Sequence, residues 1–167
     1  MDKNMQEIVL GGYRLAVDAE RTREYYASHP LPWVTCTCGG CRNFVQAVKL
    51  LPEEVKAFFA RLGVDPEKPA ETSWFPGTKT EANGDAWYHL CGEILERVDP
   101  GENQRFTEWL DVSEKFGAAF RPECYLLPKD FPQPCFQMDV VFRLPWVLEE
   151  ENPDLPPVSK NKGGGPS

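Results

Sequence analysis

The chain has 167 residues, of which 41% are hydrophobic and 26% charged, a composition typical of a folded domain rather than of a disordered protein. Its formal net charge is −8, and such a field repels nucleic-acid phosphates and anionic membrane surfaces. We therefore expect an unknown protein partner, with no nucleic acid and no membrane among the targets.

The N-terminal residues lack the apolar stretch and the cleavage site of a secretory signal. No apolar run approaches the roughly 20 residues that a bilayer-spanning helix needs. These features predict a cytoplasmic protein. Its six cysteines are then reduced thiols or metal ligands, because disulfides seldom persist in a reducing compartment.

The first elements in chain order are a β-hairpin and a helix. Residues 7–17 contain two short apolar runs separated by Gly11 and Gly12, a pair that suits a two-residue hairpin turn. Asp18 is a good N-cap residue, and it predicts a helix that ends near Ser28, before the His-Pro pair.

Two further helices are predicted after the first cysteines. The apolar residues that share one face of the first are Phe44, Val45, Val48 and Leu51. Pro52 suits the first turn of the second, and Gly63 its end. The apolar stripe of this second helix consists of Val55, Phe58, Phe59 and Leu62.

Strands are predicted in the rest of the chain. Their ranges are 72–75, 86–95, 106–110, 116–120 and 136–142, with turns at Asn83-Gly84 and at residues 99–101. Helices followed by antiparallel strands predict an α+β fold: an antiparallel sheet with an N-terminal β-hairpin and two or three helices packed on one side. We assign residues 1–150 to a single domain and residues 151–167 to a disordered tail rich in proline and glycine.

The conspicuous chemical feature is the run of Cys36, Cys38 and Cys41, which opens into a helix. Thiolates at these spacings can hold one soft metal ion, and zinc suits them best. Zinc normally takes four ligands, so His29 or Cys91 is a candidate for the fourth position. His89, Cys124, Cys135 and a water molecule are further candidates.

The same cysteines allow two other interpretations. In the first, they are three reduced cysteines in a tight turn, one or two of which pack against Trp33 and Phe44, since free cysteine is among the most buried residue types. In the second, Cys41 is a nucleophile whose pKa is lowered at a helix N-terminus, and Cys38 is its resolving partner. The remaining cysteines at positions 91, 124 and 135 are expected to be packing residues.

Three stretches carry a resemblance to a known family: CTCGGCRNF (36–44), WYHLCGEIL (87–95) and LPKDFPQPCFQMDVVFRLPWVL (127–148). They resemble an uncharacterised family of small proteins from anaerobic, gut-associated Gram-positive bacteria. The resemblance covers nearly the whole chain up to about Glu150. It implies a bacterial cytoplasmic protein and assigns no catalytic residue.

The sequence contains no phosphate-binding glycine loop, nucleophile elbow or metalloprotease helix. We therefore predict a small binding or adaptor module, zinc-stabilised through Cys36, Cys38 and Cys41, rather than an enzyme. One alternative is a thiol-dependent redox enzyme that uses Cys38 and Cys41. The other is an acidic inhibitor or immunity-type protein that blocks a basic partner.

Overall fold

In the computed structural model, which describes residues 4–97 and 109–156, an antiparallel sheet of seven strands is accompanied by three α-helices. The helices are α1 (Ala19–Ser28), α2 (Gly39–Ala47) and α3 (Glu53–Leu62), with one 3-10 turn at Val48–Leu50. The strands are β1 (Gln6–Leu10), β2 (Tyr13–Val17), β3 (Glu71–Phe75), β4 (Glu81–Arg97), β5 (Leu110–Ser113), β6 (Phe116–Arg121) and β7 (Cys135–Pro145). This architecture confirms the predicted α+β fold. None of the helices in these two ranges has the length and apolar character that crossing a membrane requires.

The N-terminal hairpin forms as its sequence predicts. β1 and β2 pair from Gln6 opposite Val17 to Leu10 opposite Tyr13, and Gly11 in the turn has φ of 55°, a value that glycine adopts without strain. Asp18 then caps α1, because its carboxylate accepts a hydrogen bond from the Arg21 backbone N–H at 3.0 Å.

The sheet is organised around β4, its longest strand. The strand order is β1-β2-β4-β7-β6-β5, and β3 also pairs with β4. β4 pairs with β3 and β7 along its first part and with β2 from Gly92 onward. Gly92 has φ of 142°, and a Cβ there would lie 2.0 Å from the Ala16 carbonyl oxygen, so this crossing of strands requires glycine.

Helix α1 covers the stretch of β4 between its pairing with β3 and its pairing with β2. The Tyr26 hydroxyl donates to the His89 carbonyl at 2.8 Å and accepts from the His89 N–H at 3.1 Å. The Thr22 hydroxyl accepts from the Cys91 N–H at 3.0 Å. Side chains of α1 therefore satisfy backbone groups that no strand satisfies in this stretch.

The main core lies between the helices and one face of the sheet. Phe59 of α3 packs edge-on against Tyr88 and Phe116, with ring centroids 5.1 and 5.6 Å away. Phe44 of α2 packs against Phe142 of β7 at 5.9 Å. The apolar stripe predicted for α3 is buried, and burial of such large side chains is the main favourable term in folding.

Two local predictions differ from the structure. The helix predicted to reach Leu51 ends at Ala47, and Val45 is exposed because its turn of α2 presents that side to solvent. The pair Asn83-Gly84 lies inside β4 instead of forming a turn. A Cβ at Gly84 would come within 2.9 Å of the Trp74 ring, so this glycine permits close strand packing.

Other predicted elements lie partly outside the described residues. The turn at 99–101 and the start of the strand predicted at 106–110 fall there, whereas Leu110 begins β5. The predicted tail begins at residue 151, yet Asn152 is buried and donates to the Thr78 carbonyl at 3.0 Å. The backbone carbonyl of Asp154 accepts a hydrogen bond from the Gly77 N–H at 2.8 Å. Contacts with the fold thus continue to residue 154, and residues 157–167 lie outside the described part.

Candidate metal centre

Cys36, Cys38 and Cys41 form a cluster in which the three Sγ atoms lie within 4.8 Å of one another. In residues 4–97 and 109–156 this is the one group of cysteine, histidine or acidic side chains with metal-site spacing. Thiolates at such distances can coordinate a single soft cation. We call these three residues the N-terminal cysteine cluster.

The backbone at the start of α2 positions the sulfur atoms. Cys38 is the N-cap residue of α2, and its Sγ accepts a hydrogen bond from the Cys41 N–H at 3.4 Å. The Sγ of Cys36 accepts from the Cys38 N–H at 3.5 Å. Hydrogen bonds donated to sulfur and the positive end of the helix dipole both favour thiolate over thiol.

Two glycines allow the start of α2 to pack closely against its neighbours. A Cβ at Gly40 would lie 2.7 Å from the Trp74 ring of β3, and a Cβ at Gly39 would lie 2.9 Å from Pro153. Any larger residue would separate α2 from these contacts. The glycines in the cysteine run therefore serve packing as well as the turn.

Cys41 is the buried member of the cluster. It is 3% exposed, the Trp74 indole N–H donates to its Sγ at 3.5 Å, and the Thr72 hydroxyl lies at the same distance. Burial raises the pKa of Cys41 to about 11. The sequence predicts a lowered pKa from the helix N-terminus, whereas burial of the thiol acts in the opposite direction.

Cys36 and Cys38, in contrast, are exposed. The backbone N–H of Cys38, followed by side-chain hydrogen bonds within the cluster, lowers the pKa of Cys36, and desolvation and then the charge of Glu71 oppose this effect. One sulfur therefore anchors the cluster to the core while two remain accessible to an incoming ion.

Side chains that follow Cys41 attach the cluster to the C-terminal part of the fold. Arg42 donates to the Thr37 carbonyl at 3.0 Å and forms a bidentate ion pair with Glu150. Asn43 is fully buried; its amide donates to the Pro145 carbonyl at 3.1 Å and accepts from the Val147 N–H at 2.8 Å. Sequence reasoning missed Asn43, since nothing local distinguishes it from a surface asparagine.

The structure does not bring the predicted fourth ligands to the cluster. Both ring nitrogens of His29 are engaged elsewhere, Nδ1 with the Tyr25 carbonyl and Nε2 with Asp130, each at 2.8 Å. Cys91 is buried in a separate apolar cluster with Tyr25 and Phe131. His89 is buried beside Phe131, and Cys124 and Cys135 contact each other.

A different candidate for the fourth position lies beside Cys36. A surface cavity of about 290 Å³ is lined by Trp33, Cys36, Glu71, Thr72 and neighbouring backbone. Glu71 begins β3 next to Thr72, the residue that contacts Cys41. A carboxylate oxygen is an acceptable zinc ligand, but no local pattern in the sequence indicates Glu71.

Asp130 and His29 form a second polar contact that the sequence did not suggest. Asp130 accepts from the Tyr25 hydroxyl at 2.7 Å and pairs with His29. The Tyr25 carbonyl and then Asp130 raise the pKa of His29, since both are acceptors that favour the imidazolium. Tyr25 and then His29 lower the pKa of Asp130. The contact attaches α1 to the segment between β6 and β7.

No protein-family model, curated protein or solved structure matches this chain. The chemistry of the N-terminal cysteine cluster therefore rests on its own residues and their geometry.

Proposed function

We propose that the chain is a small binding module in which Cys36, Cys38 and Cys41 hold one zinc ion. The observation that carries this proposal is the approach of the three Sγ atoms to within 4.8 Å of one another. Bound zinc would join the loop before α2 to the first turn of that helix, and its binding free energy would add to folding stability.

The donor set favours zinc over harder cations. Thiolate sulfur suits zinc, whereas magnesium and calcium take oxygen ligands. Glu71 lines the cavity beside Cys36 but is not part of the 4.8 Å group, and its carboxylate accepts from the Thr72 N–H at 3.1 Å; in this proposal its side chain turns toward Cys36 to supply the fourth ligand. Two exposed sulfurs give an ion a path from solvent, and the buried sulfur of Cys41 fixes the position of the site.

A binding module fits the cluster better than a thiol enzyme does. Thiol–disulfide exchange requires a thiolate attacking group, and the buried Cys41 has a raised pKa. Zinc removes this difficulty, because coordination deprotonates a thiol outright. The role of Cys41 in the proposal is therefore that of a ligand.

We further propose that the partner is a basic protein and that the module acts in a bacterial cytoplasm. The formal net charge of −8 favours a partner of opposite charge. The resemblance to small proteins of anaerobic Gram-positive bacteria supports the compartment. An acidic inhibitor of a basic protein is one form that such a module can take.

Metal titration of the purified chain tests the zinc site. The chain, prepared without a metal-affinity step, is stripped with a chelator and titrated with Co²⁺, whose thiolate charge-transfer absorption reports sulfur ligands. We expect saturation at one ion per chain and displacement by one zinc ion. Native mass spectrometry then counts the bound zinc.

Matched variants separate the site from nonspecific thiol binding. Cys38→Ser should lose the charge-transfer band, while Cys124→Ser, which alters a cysteine of another region, should retain it. Glu71→Gln should weaken zinc binding but keep the sulfur band. A wild-type chain without a thiolate band, or an undiminished band in Cys38→Ser, contradicts the proposal.

A further inference from the structure

A second set of three cysteines comes together far from the N-terminal cluster in sequence. Cys91 of β4 and Cys135 of β7 are directly opposite in the strand register. The Sγ of Cys124, which follows β6, lies 3.7 Å from the Sγ of Cys135. We call these residues the C-terminal cysteine group.

We propose that Cys124 and Cys135 are a modification site, at which a low-molecular-weight disulfide converts the two thiols into a reversible intramolecular disulfide. The two sulfur atoms are in van der Waals contact, and a bond requires them to approach to about 2.05 Å. Cys124 belongs to the irregular segment 122–134, outside the strand ladders, so a small shift of this segment closes the distance.

A small disulfide can reach the pair. Cys124 and Cys135 are both partly exposed, whereas Cys91 is 1% exposed. Cys135, together with Pro134, Pro122 and Glu123, lines a surface cavity of about 780 Å³. Cys135 is therefore the sulfur that an incoming reagent meets first.

The reaction follows ordinary thiol–disulfide exchange. The Cys135 thiolate attacks one sulfur of the reagent, which breaks the reagent's S–S bond, releases one thiol and forms a mixed disulfide. The Cys124 thiol then loses its proton to solvent and attacks the Cys135 sulfur, which releases the second thiol. Two protein thiols are oxidised, and one disulfide is reduced to two thiols.

The order of attack agrees with the surroundings of Cys124. Burial, followed by the neighbouring Cys135, raises the pKa of Cys124 to about 12. Cys124 is thus a poor first nucleophile in bulk exchange, but a thiol held beside a mixed disulfide reacts within the molecule at high effective concentration. Excess reducing thiol reverses both steps.

The bond would constrain the segment that joins β6 to β7. Positions 124 and 135 are 11 residues apart, and between them lie Asp130, which contacts His29 and Tyr25, and the buried Phe131. Closing a loop of this size reduces the freedom of the unfolded chain. We expect the melting temperature to rise by roughly 5 °C on oxidation.

Cys91 is the competing partner for Cys135. It faces Cys135 across the ladder, but burial raises its pKa to about 11, and its backbone N–H donates to the Thr22 hydroxyl at 3.0 Å. Access and the 3.7 Å contact between the sulfur atoms therefore favour Cys124.

Peptide mapping tests the pairing. The full chain is equilibrated with oxidised glutathione in excess over reduced glutathione, blocked with an alkylating agent, and digested with trypsin without reduction. Lysine and arginine positions place Cys91 in peptide 80–97, Cys124 in 116–129 and Cys135 in 130–143, while Cys36, Cys38 and Cys41 share peptide 24–42. Each pairing therefore has its own mass, whatever the metal state of the N-terminal cluster.

The expected product joins peptides 116–129 and 130–143, disappears on addition of excess reduced glutathione, and is absent in Cys124→Ser and in Cys135→Ser. Cys91→Ser should still form it, and this variant keeps the test informative if one of the others folds poorly. Linkage of 80–97 to 130–143, or full alkylation of Cys124 and Cys135 in the oxidising buffer, overturns the proposal.

Discussion

The N-terminal cysteine cluster and the C-terminal cysteine group contain three cysteines each, but the chain assembles them in different ways. Cys36, Cys38 and Cys41 are neighbours in sequence, and backbone N–H groups at the start of α2 donate to the sulfurs of the first two. Cys91, Cys124 and Cys135 come from β4, from the segment after β6 and from β7. Only the first set has three sulfur atoms within 4.8 Å among the described residues.

This contrast explains why we assign different chemistry to equal numbers of thiols. A metal ion needs several ligands around one point and donors that favour thiolate, which the start of α2 provides. A disulfide needs two accessible sulfur atoms in contact, which Cys124 and Cys135 provide. Burial alone does not separate the two regions, because it raises the pKa of Cys41 and of Cys124 alike.

The largest expected effect is that of zinc on stability, and it distinguishes the two regions directly. At free zinc about 1,000 times Kd, a site present only in the folded state adds about 4 kcal/mol to the free energy of unfolding. Urea unfolding with zinc and with a chelator measures this difference. Cys38→Ser should abolish the zinc-dependent gain and Cys124→Ser should keep it. An equal zinc-dependent gain in stability in both variants would show that the N-terminal cysteine cluster is not the zinc site.

The next effect concerns Asn43, whose buried side-chain amide attaches the N-terminal cysteine cluster to the end of β7. Asn43→Ala leaves the Pro145 carbonyl and the Val147 N–H without their side-chain partner. Unsatisfied buried groups cost about 1–3 kcal/mol each, so we expect a loss of about 3 kcal/mol in chemical denaturation, together with weaker zinc binding. Gln46→Ala, an exposed amide of the same helix, is the matched control. A loss of stability with unchanged zinc affinity would show that the Asn43 hydrogen bonds do not position the cluster.

A smaller effect is expected from the contact between α2 and β3. In Gly40→Ala the new Cβ would meet the Trp74 ring, whose indole N–H donates to Cys41. Such overpacking costs about 1–3 kcal/mol, and we expect about 2 kcal/mol from the midpoint of thermal unfolding. The same substitution in a Trp74→Leu background should cost less, because the two changes share one contact. Equal costs in the two backgrounds would exclude this explanation.

The smallest effect is a pH dependence at the contact between His29, after α1, and Asp130, in the segment between β6 and β7. The pKa of His29 is raised above its ordinary value of 6.5 in the folded state by the Tyr25 carbonyl and by Asp130. Its contribution to stability is therefore fully present below pH 6.5 and is lost as pH rises through the folded-state pKa. Melting temperatures between pH 5 and pH 9 should show this loss in the wild type and a flatter profile in Asp130→Asn. An identical profile in that variant would mean that the ion pair does not contribute.

The sequence predicted those features that depend on neighbouring residues. Asp18 caps α1, the stripe of α3 is buried, and Gly63 ends α3 with φ of 77°, because capping and helical periodicity act within a few residues. The N-terminal cysteine cluster belongs to the same class, since one turn of backbone brings its sulfurs together.

Contacts between distant parts of the chain could not be read from the sequence. The Asn83-Gly84 pair has the composition of a turn, but packing against Trp74 places it in β4. The helix predicted to reach Leu51 ends at Ala47, where a 3-10 turn follows, and in its predicted stripe Val45 is exposed while Val48 and Leu51 are buried. At Asn83-Gly84 a tertiary contact outweighed a local preference, as weak propensities allow.

The sequence by itself therefore determined the fold class, the N-terminal hairpin and the spacing of three potential metal ligands. The tertiary structure alone decided that Asn43 joins α2 to the end of β7, that His29 pairs with Asp130 instead of the cluster, and that Cys124 contacts Cys135. The physical reason is range. Capping, turn and periodicity signals act between residues close in sequence, whereas these contacts join residues 102, 101 and 11 positions apart and depend on the register of β7 and the segment before it.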